Sequence, residues 1–377
     1  MLSSLHIENF RGFQEFDLED LGRINLLVGE NNNGKTSILE AILIFLSHGN
    51  LNVILELMKY RGEYWREKND KKGTSESEYA MRHLFYGHEI VQETKFSLKG
   101  IDDNSQNQLI IDIRSDPIQQ SLNLNNNDDD NQSEKSGNFN LIIKWNHGNF
   151  GRSPIEVPLS LNNTLSQDDV RRMSRNLFSD IVINTRLITP FSLDITDLTQ
   201  LFDNIVLTPN EQLIIEALQI IEAKIERIAS VGQEKYSYTS RNYKERGGFV
   251  IKFSDQKQPV PIGSLGDGIW RILSIILAMV NLENGVLLVD EIDTGLHFTT
   301  LFDMWKVILL TARKLNIQVF ATTHNSDCWT SLASLIKKEK IEDNEITIQR
   351  IEPDRKKAVA FSPKQIVIAA ERGIEVR

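Results

Sequence analysis

A single cysteine, Cys328, stands among 377 residues. That excludes an internal disulfide framework and any zinc site built on cysteine thiolates, and leaves Cys328 as a small residue suited to burial. The chain also lacks a run of roughly 18 apolar residues, the length a membrane-spanning helix needs. Its opening, Met1-Leu2-Ser3-Ser4-Leu5-His6, has no basic stretch followed by an apolar one, so no secretory signal is expected. Basic residues are in the minority: 42 Lys and Arg face 52 Asp and Glu, a net charge of −10. A protein that coats DNA by charge alone is therefore disfavoured. The short clusters Arg171-Arg172, Lys337-Lys338 and Arg355-Lys356-Lys357 read as solvated surface, or as a local basic face. These deficits point to a cytoplasmic protein with no membrane partner. A hydrophobic share of 40% and a charged share of 25% are ordinary for a globular chain.

What is present begins with a short apolar run, Ile24 to Val28, that stops at Gly29 and reads as a buried strand. A helical pattern starts at Lys35. Residues 91–159 contain three strand-like runs, Thr94–Leu98, Leu109–Ile113 and Leu141–Trp145. Between the last two lies a polar stretch around Asn125 to Asp130 that cannot bury itself and is expected to be disordered. Residues 169–230 look helical, with Ile214, Leu218, Ile221, Ile225 and Ile228 spaced by four and three as on one helix face. Strand and helix then alternate: Gly248–Phe253, Ile269–Val280, Gly285–Val289, Thr300–Leu315, Ile317–Ala321. That alternation implies a parallel sheet with crossover helices. A hairpin is expected between Ile346–Ile351 and Ala358–Phe361. Ser362-Pro363 has the chemistry of a helix start, and Gly373 that of its end.

Gly29-Glu30-Asn31-Asn32-Asn33-Gly34-Lys35-Thr36 fits GxxxxGK[ST] in full, between a strand and a helix. In such a turn the main-chain N–H groups, here of Gly29, Asn31, Asn32, Asn33 and Gly34, cradle phosphate oxygens, and the helix N-terminus adds partial positive charge. Gly34 permits close approach. Lys35 reaches the β- and γ-phosphates, the Thr36 hydroxyl can ligate Mg²⁺, and Ser37 can bond the α-phosphate.

Val286 to Val289 is an apolar strand that ends in Asp290-Glu291. Two carboxylates there are costly unless they meet a cation. Asp290 suits Mg²⁺ through water, and Glu291 suits a general base that polarises attacking water. His324, after the strand ending at Ala321, falls at the same sheet edge and can bond the γ-phosphate and the water. Ser264-Leu265-Gly266-Asp267-Gly268, followed by Arg271, is a second Ser/Gly turn at a helix start and so a second anion site. One phosphate loop with two such turns suggests that the second serves a neighbour's ATP.

Taken together these strings resemble the ABC-type ATPase heads of the SMC, RecF and OLD (overcoming-lysogenization-defect) group. Leu5 to Phe13 resembles their first strand and arginine loop, Gly29 to Ser37 matches Walker A, and Asp290-Glu291 matches Walker B. Ser264 and Gly266 match the Ser and second Gly of the signature, Asp293 to His297 resembles the D-loop, and His324 matches the switch histidine. The likeness is greatest to OLD-like bacterial AAA-family ATPases without a fused TOPRIM domain, in which strings of the "DEIDTGLH" and "ATTHNSD" type recur. Leu265 departs from the transporter signature, and Gln92 is the candidate for a glutamine loop.

The resemblance implies an α/β P-loop NTPase of the ABC-head type, with a mixed sheet, an antiparallel β subdomain and a helical lobe. It implies a nucleotide-binding core from 1–90 and 245–377, a β-rich subdomain over 91–165 with a disordered loop at 121–138, and a helical lobe over 166–244. Implied ligands are ATP and Mg²⁺, with Arg11, Ser264 and Gly266 added to the nucleotide contacts, Thr36 and Asp290 on the metal, and Glu291, His324 and Lys35 in catalysis. The implied partners are a second copy of the chain, or a higher homo-oligomer, and a separately encoded effector such as a TOPRIM-like nuclease in defence against phage. A RecF-like clamp closing on DNA is the alternative. A transporter subunit fits less well, and a module that does not hydrolyse ATP is disfavoured because every catalytic position is filled.

Overall fold

The computed structural model describes all residues but 69–74, 91–93, 103–104, 116–135, 149, 161, 178–183, 191–194, 232–247, 353–354 and 377. The polar loop expected at 121–138 lies outside the described residues save for its last three, which begin a strand, and Gln92 lies outside them too. By its internal contacts the chain forms two compact units. The first comprises Met1–Glu19, Thr36–Ile183 and Pro353–Ala358; the second comprises Asp20–Lys35, Asn184–Glu352 and Val359–Arg377.

In the first unit, β1 (Leu2–Phe10) and β2 (Phe13–Leu18) form a hairpin. Along β1 the buried residues Leu2, Leu5, Ile7 and Phe10 mark the covered face. β1 also pairs antiparallel with β6 (Lys95–Asp102), and the sheet continues through β7 (Ser105–Ser115) and β8 (Ser136–His147) to β10 (Ile155–Ser160), with β9 (Phe150–Gly151) beside β8. A small sheet joins β4 (Tyr64–Lys68), β5 (Ser75–Ala80) and β11 (Thr164–Ser166). α1 (Lys35–Leu46), α2 (Leu51–Arg61) and α3 (Gln167–Leu177) complete the helices. Asn50 caps α2, its side chain accepting from the Asn52 N–H at 2.9 Å, and Gly62 ends it in the left-handed region at φ 72°.

The second unit is built on a six-stranded sheet in the order β12 (Thr185–Ile188), β16 (Val286–Val289), β17 (Gln318–Thr322), β3 (Ile24–Val28), β18 (Ile346–Arg350), β19 (Val359–Phe361). The first five run parallel; β19 returns antiparallel as the expected hairpin. Every residue of β3 and β17 is buried, as in a parallel sheet covered on both faces. α4 (Ile195–Asp203), α5 (Pro209–Ile221), α6 (Asp267–Val280), α7 (Leu301–Lys314), α8 (Ser326–Glu339) and α9 (Pro363–Glu371) accompany it. From Arg271 to Val280 every residue of α6 is buried. At the start of α9 the Gln365 side chain accepts from the Ser362 N–H at 2.8 Å. Cys328 is buried, and burial pushes its thiol far above the ordinary range.

Three expectations are corrected. The helix face expected to run to Ile228 ends at Ile221, and Ile225 and Ile228 lie in β13 (Ile225–Ser230), paired with β14 (Phe249–Phe253). An irregularity in that pairing between Ile225 and Arg227 lets two residues three apart bury together, which mimics helical spacing. β14 itself pairs with β13 and β15 (Val260–Pro261) in a separate antiparallel sheet. The division at 90, 165 and 244 also fails. β1 and β6 share a sheet, so the N-terminal strands belong with the 91–165 region, and β12 carries part of 166–244 into the parallel sheet.

Candidate active site

Within the second unit, β16, β17 and β3 are adjacent parallel strands, so their carboxyl ends lie along one edge. The phosphate loop follows β3, Asp290-Glu291 follows β16, and His324 stands two residues beyond β17. In the loop, Gly29 (φ 147°), Asn32 (φ 68°) and Gly34 (φ 81°) all have positive φ, a feature of main-chain turns that bind anions. Gly29 is irreplaceable on steric grounds as well: a Cβ would come 2.6 Å from the Ile351 carbonyl oxygen. Asn33 fastens the loop by donating from its amide to that same oxygen at 3.2 Å. Asn31 and Asn32 are exposed.

Lys35 folds back over the loop. Its ammonium donates to the carbonyls of Gly29 and Glu30, each at 2.7 Å. Burial lowers its pKa, and the carboxylates of Asp290 and Glu291 oppose that shift, so the three charges face one another across the sheet edge.

Asp290 is buried, and one hydroxyl organises both acids. Thr322 at the end of β17 donates to Asp290 Oδ1 at 2.6 Å and accepts from the Glu291 N–H at 2.8 Å. Glu291 is a non-glycine residue at φ 46°, a sparsely populated conformation that its surroundings must enforce. The Thr294 hydroxyl donates to Glu291 Oε2 at 3.2 Å, and Thr323 donates to Asp293 at 2.7 Å. His324 is exposed, directly before Asn325, whose side chain caps α8 by accepting from the Asp327 N–H at 2.9 Å.

Ser264 and Gly266 are exposed at the start of α6, with Ser264 in a single 3₁₀ turn, Ile262–Leu265. Gly266 adopts φ 88°, ψ 172°, a region essentially confined to glycine. The edge of the sheet thus gathers Lys35, Asp290, Glu291 and His324, and the Ser/Gly turn opens α6 close to the segment after the two acids, where a Cβ on Gly268 would come 3.2 Å from Leu296 and 3.6 Å from the Gly295 carbonyl oxygen. The link between them is Arg271. It was expected at an anion site, but it is buried, and its guanidinium is spent on main-chain carbonyls beside Glu291.

Thr36 and Ser37 continue into the first turn of α1 and, with Arg11, belong to the first unit. Arg11, expected among the nucleotide contacts, is buried at 3% exposure between two acids: its Nε lies 2.6 Å from Glu40 Oε2, and its Nη1 donates to Glu63 Oε1 at 2.6 Å. Glu40 also accepts from Arg61 Nε at 2.6 Å, and Arg61 Nη2 donates to the Ser37 hydroxyl at 3.2 Å. Burial pushes the Glu40 carboxyl up, and the flanking Arg11 and Arg61 oppose it. Arg11 therefore orients a charge chain that ends on Ser37. Arg61 and Glu40 carry no motif of their own, and Thr322 lies in the string before His324, where the histidine alone was given a role; that is why sequence reasoning missed them.

Among the described residues no group of three or more His, Cys, Asp or Glu side chains forms a metal cage. A magnesium ion here would rest on few protein ligands and on substrate oxygens, as is usual for that ion. No helix among the described residues is long and apolar enough to cross a membrane.

Residues 51–327 match the family described as "AAA domain, putative AbiEii toxin, Type IV TA system". The chain belongs to this family. Membership and the geometry of the strand ends together make this AAA-family chain an ATPase. An "ATP/GTP phosphatase" from Helicobacter pylori is similar to it, 23% identical over 374 residues that cover 90% of this chain and 89% of that protein. A "DNA replication and repair protein RecF" from Actinobacillus pleuropneumoniae is 54% identical over 48 residues, 13% of each chain. Among solved structures, an Smc head domain with an extended coiled coil, bound to the C-terminal domain of ScpA derived from Pyrococcus furiosus, overlaps 99% of each chain at a TM-score of 0.45 and 10% identity.

Proposed function

We propose that this AAA-family ATPase hydrolyses Mg-ATP between two head-like copies of itself, and that the closed pair works as a sensor or scaffold for a separately encoded effector, in the manner of OLD-like ATPases. The observation that carries the reading is the set Lys35, Asp290 and Glu291, held charge to charge at the mouth of a phosphate nest.

The N–H groups from Gly29 to Gly34 bind phosphate oxygens, and Lys35 exchanges its two loop carbonyls for the β- and γ-phosphates. Thr36 and Asp290 would hold Mg²⁺, which when bound neutralises charge on the β- and γ-oxygens. Ser37, steadied by Arg61, bonds the α-phosphate. Glu291 takes a proton from water as that oxygen bonds the γ-phosphorus. The bond from this phosphorus to the bridging oxygen breaks, releasing ADP and phosphate. His324 bonds the γ-phosphate and the water. Ser264 and Gly266 of the opposite copy complete the donors around the transferring group.

A family description that names a toxin–antitoxin system is in keeping with a chain that acts through a second protein, and defence against phage is the proposed setting. The localised RecF likeness favours a second reading, an ATP-dependent clamp on DNA, for which ATP-dependent retention of duplex DNA is the discriminating assay. The central chemical assignment is tested by Glu291→Gln. ATP affinity should stay within a few-fold while turnover falls roughly 10²–10⁴-fold, because the amide cannot accept the proton. Turnover at the wild-type rate would remove Glu291 from the role.

A further inference from the structure

The guanidinium of Arg271 makes three hydrogen bonds, and all go to main-chain carbonyls rather than to carboxylates. Nη1 donates to Thr189 O at 3.1 Å, and Nη2 donates to Asp290 O at 2.9 Å and to Glu291 O at 3.1 Å. Thr189 directly follows β12, and the two acids directly follow β16, so one side chain clips together the ends of neighbouring parallel strands. The side chain is 8% exposed, and its Nε is buried with no hydrogen-bond partner. Holding a cation there is costly, and burial lowers the Arg271 pKa, with Asp290, Asp293 and Glu291 as the opposing negative charges. A fold that needed only packing at this position would be served as well by an apolar residue.

What the clip holds is unusual. Glu291 sits at φ 46°, with its N–H tied to Thr322 Oγ1 at 2.8 Å and its carbonyl to Arg271. The two bonds fix the main chain on both sides of the residue and so the direction in which its side chain leaves the backbone, and the Thr294 hydroxyl holds the carboxylate at 3.2 Å. Arg271 also rides on α6, four residues after Asp267, the residue that follows Gly266 at φ 88°. Any displacement of the Ser264–Gly268 turn that moves the start of α6 pulls on the carbonyl of Glu291.

We propose that Arg271 is a positioning residue that couples the Ser264–Gly268 turn to the catalytic carboxylate, so that the state of the turn sets hydrolysis rather than ATP affinity. This rests on the reading of Glu291 as general base and deepens it, by naming how that base is regulated.

The test uses the full-length protein carrying Arg271→Lys, Arg271→Met, Glu291→Gln, and Arg271→Met with Glu291→Gln. ATP binding and single-turnover hydrolysis are measured on each. Arg271→Met should bind ATP within about threefold of wild type and hydrolyse it at least tenfold more slowly. A lysine cannot span both strand ends, so Arg271→Lys should fall between the two while melting near wild type; it decides the matter if Arg271→Met does not fold. In the Glu291→Gln background, Arg271→Met should cause no further loss, because the group it aims is already disabled. Wild-type hydrolysis by folded Arg271→Lys and Arg271→Met would overturn the proposal, as would an equal loss in the two backgrounds. Wild-type hydrolysis by Glu291→Gln alone would instead overturn the general-base reading.

Discussion

His48, just past the end of α1, lies flat on Trp145 with ring centroids 4.0 Å apart and planes at 21°. Its Nδ1 is buried without a hydrogen-bond partner. Burial, helped by the positive charges of Arg152 and His147 and opposed by Asp102, pushes its pKa down to about 4. An unfolded histidine titrates near 6.5, so between about 6.5 and 4 the unfolded chain holds a proton that the folded chain refuses. The contribution is therefore fully present above pH 6.5 and is lost as the pH falls toward 4. Thermal melts from pH 7.5 to 5 should show wild type losing stability faster than His48→Phe, which keeps the stack and removes the titration. Parallel pH profiles for the two proteins would contradict the assignment. Arg11, by contrast, is buried as a charge and is held by two carboxylates. Its pairing with Glu40 and Glu63 could not be read from Asn9-Phe10-Arg11-Gly12, because both partners are distant in sequence and neither stands in a motif.

Among the elements, the phosphate loop owes its shape to a few backbone positions. Gly29→Ala places a Cβ 2.6 Å from the Ile351 carbonyl at φ 147°, so the loop must distort, at a cost on the order of 1–3 kcal/mol. The expected outcome is an ATP affinity at least tenfold weaker and a lowered melting temperature. Gly12→Ala, where nothing lies within 4 Å of the added carbon, should leave both unchanged. Equal ATP affinities for the two variants would show that Gly29 is not a sterically required position. The loop and the acid-tipped strand were legible because their chemistry is local: each is a contiguous string at a strand end. β12 and β13 were not. Thr185–Ile188 is a four-residue edge strand with one buried residue, too short and too polar to show a period, and β13 imitates a helix through an irregular pairing. The Thr322 bridge between β17 and the two acids follows from strand order, which the sequence implied as a class of sheet but not residue by residue.

At the scale of the whole molecule, each chain has one phosphate loop and one Ser264–Gly268 turn, in which Ser264, Gly266 and Asp267 are exposed. In the proposed function the site takes that turn from a second copy. ATP would then favour the closed pair through contacts to its γ-phosphate that ADP lacks, which gives a partner protein two states to read. The ATPase was legible in the motifs, while the division into two units was not, because the strands that unite each unit come from distant stretches of chain. The measurement that tests this most directly is ATPase activity of Ser264→Arg, of Lys35→Ala and of their mixture after subunit exchange. Ser264→Arg should bind ATP and hardly hydrolyse it, and Lys35→Ala should not bind it. The mixture should regain activity, from pairs in which the intact loop of the first variant meets the intact turn of the second. Wild-type turnover by Ser264→Arg alone, or no recovery in exchanged mixtures, would contradict hydrolysis between two copies.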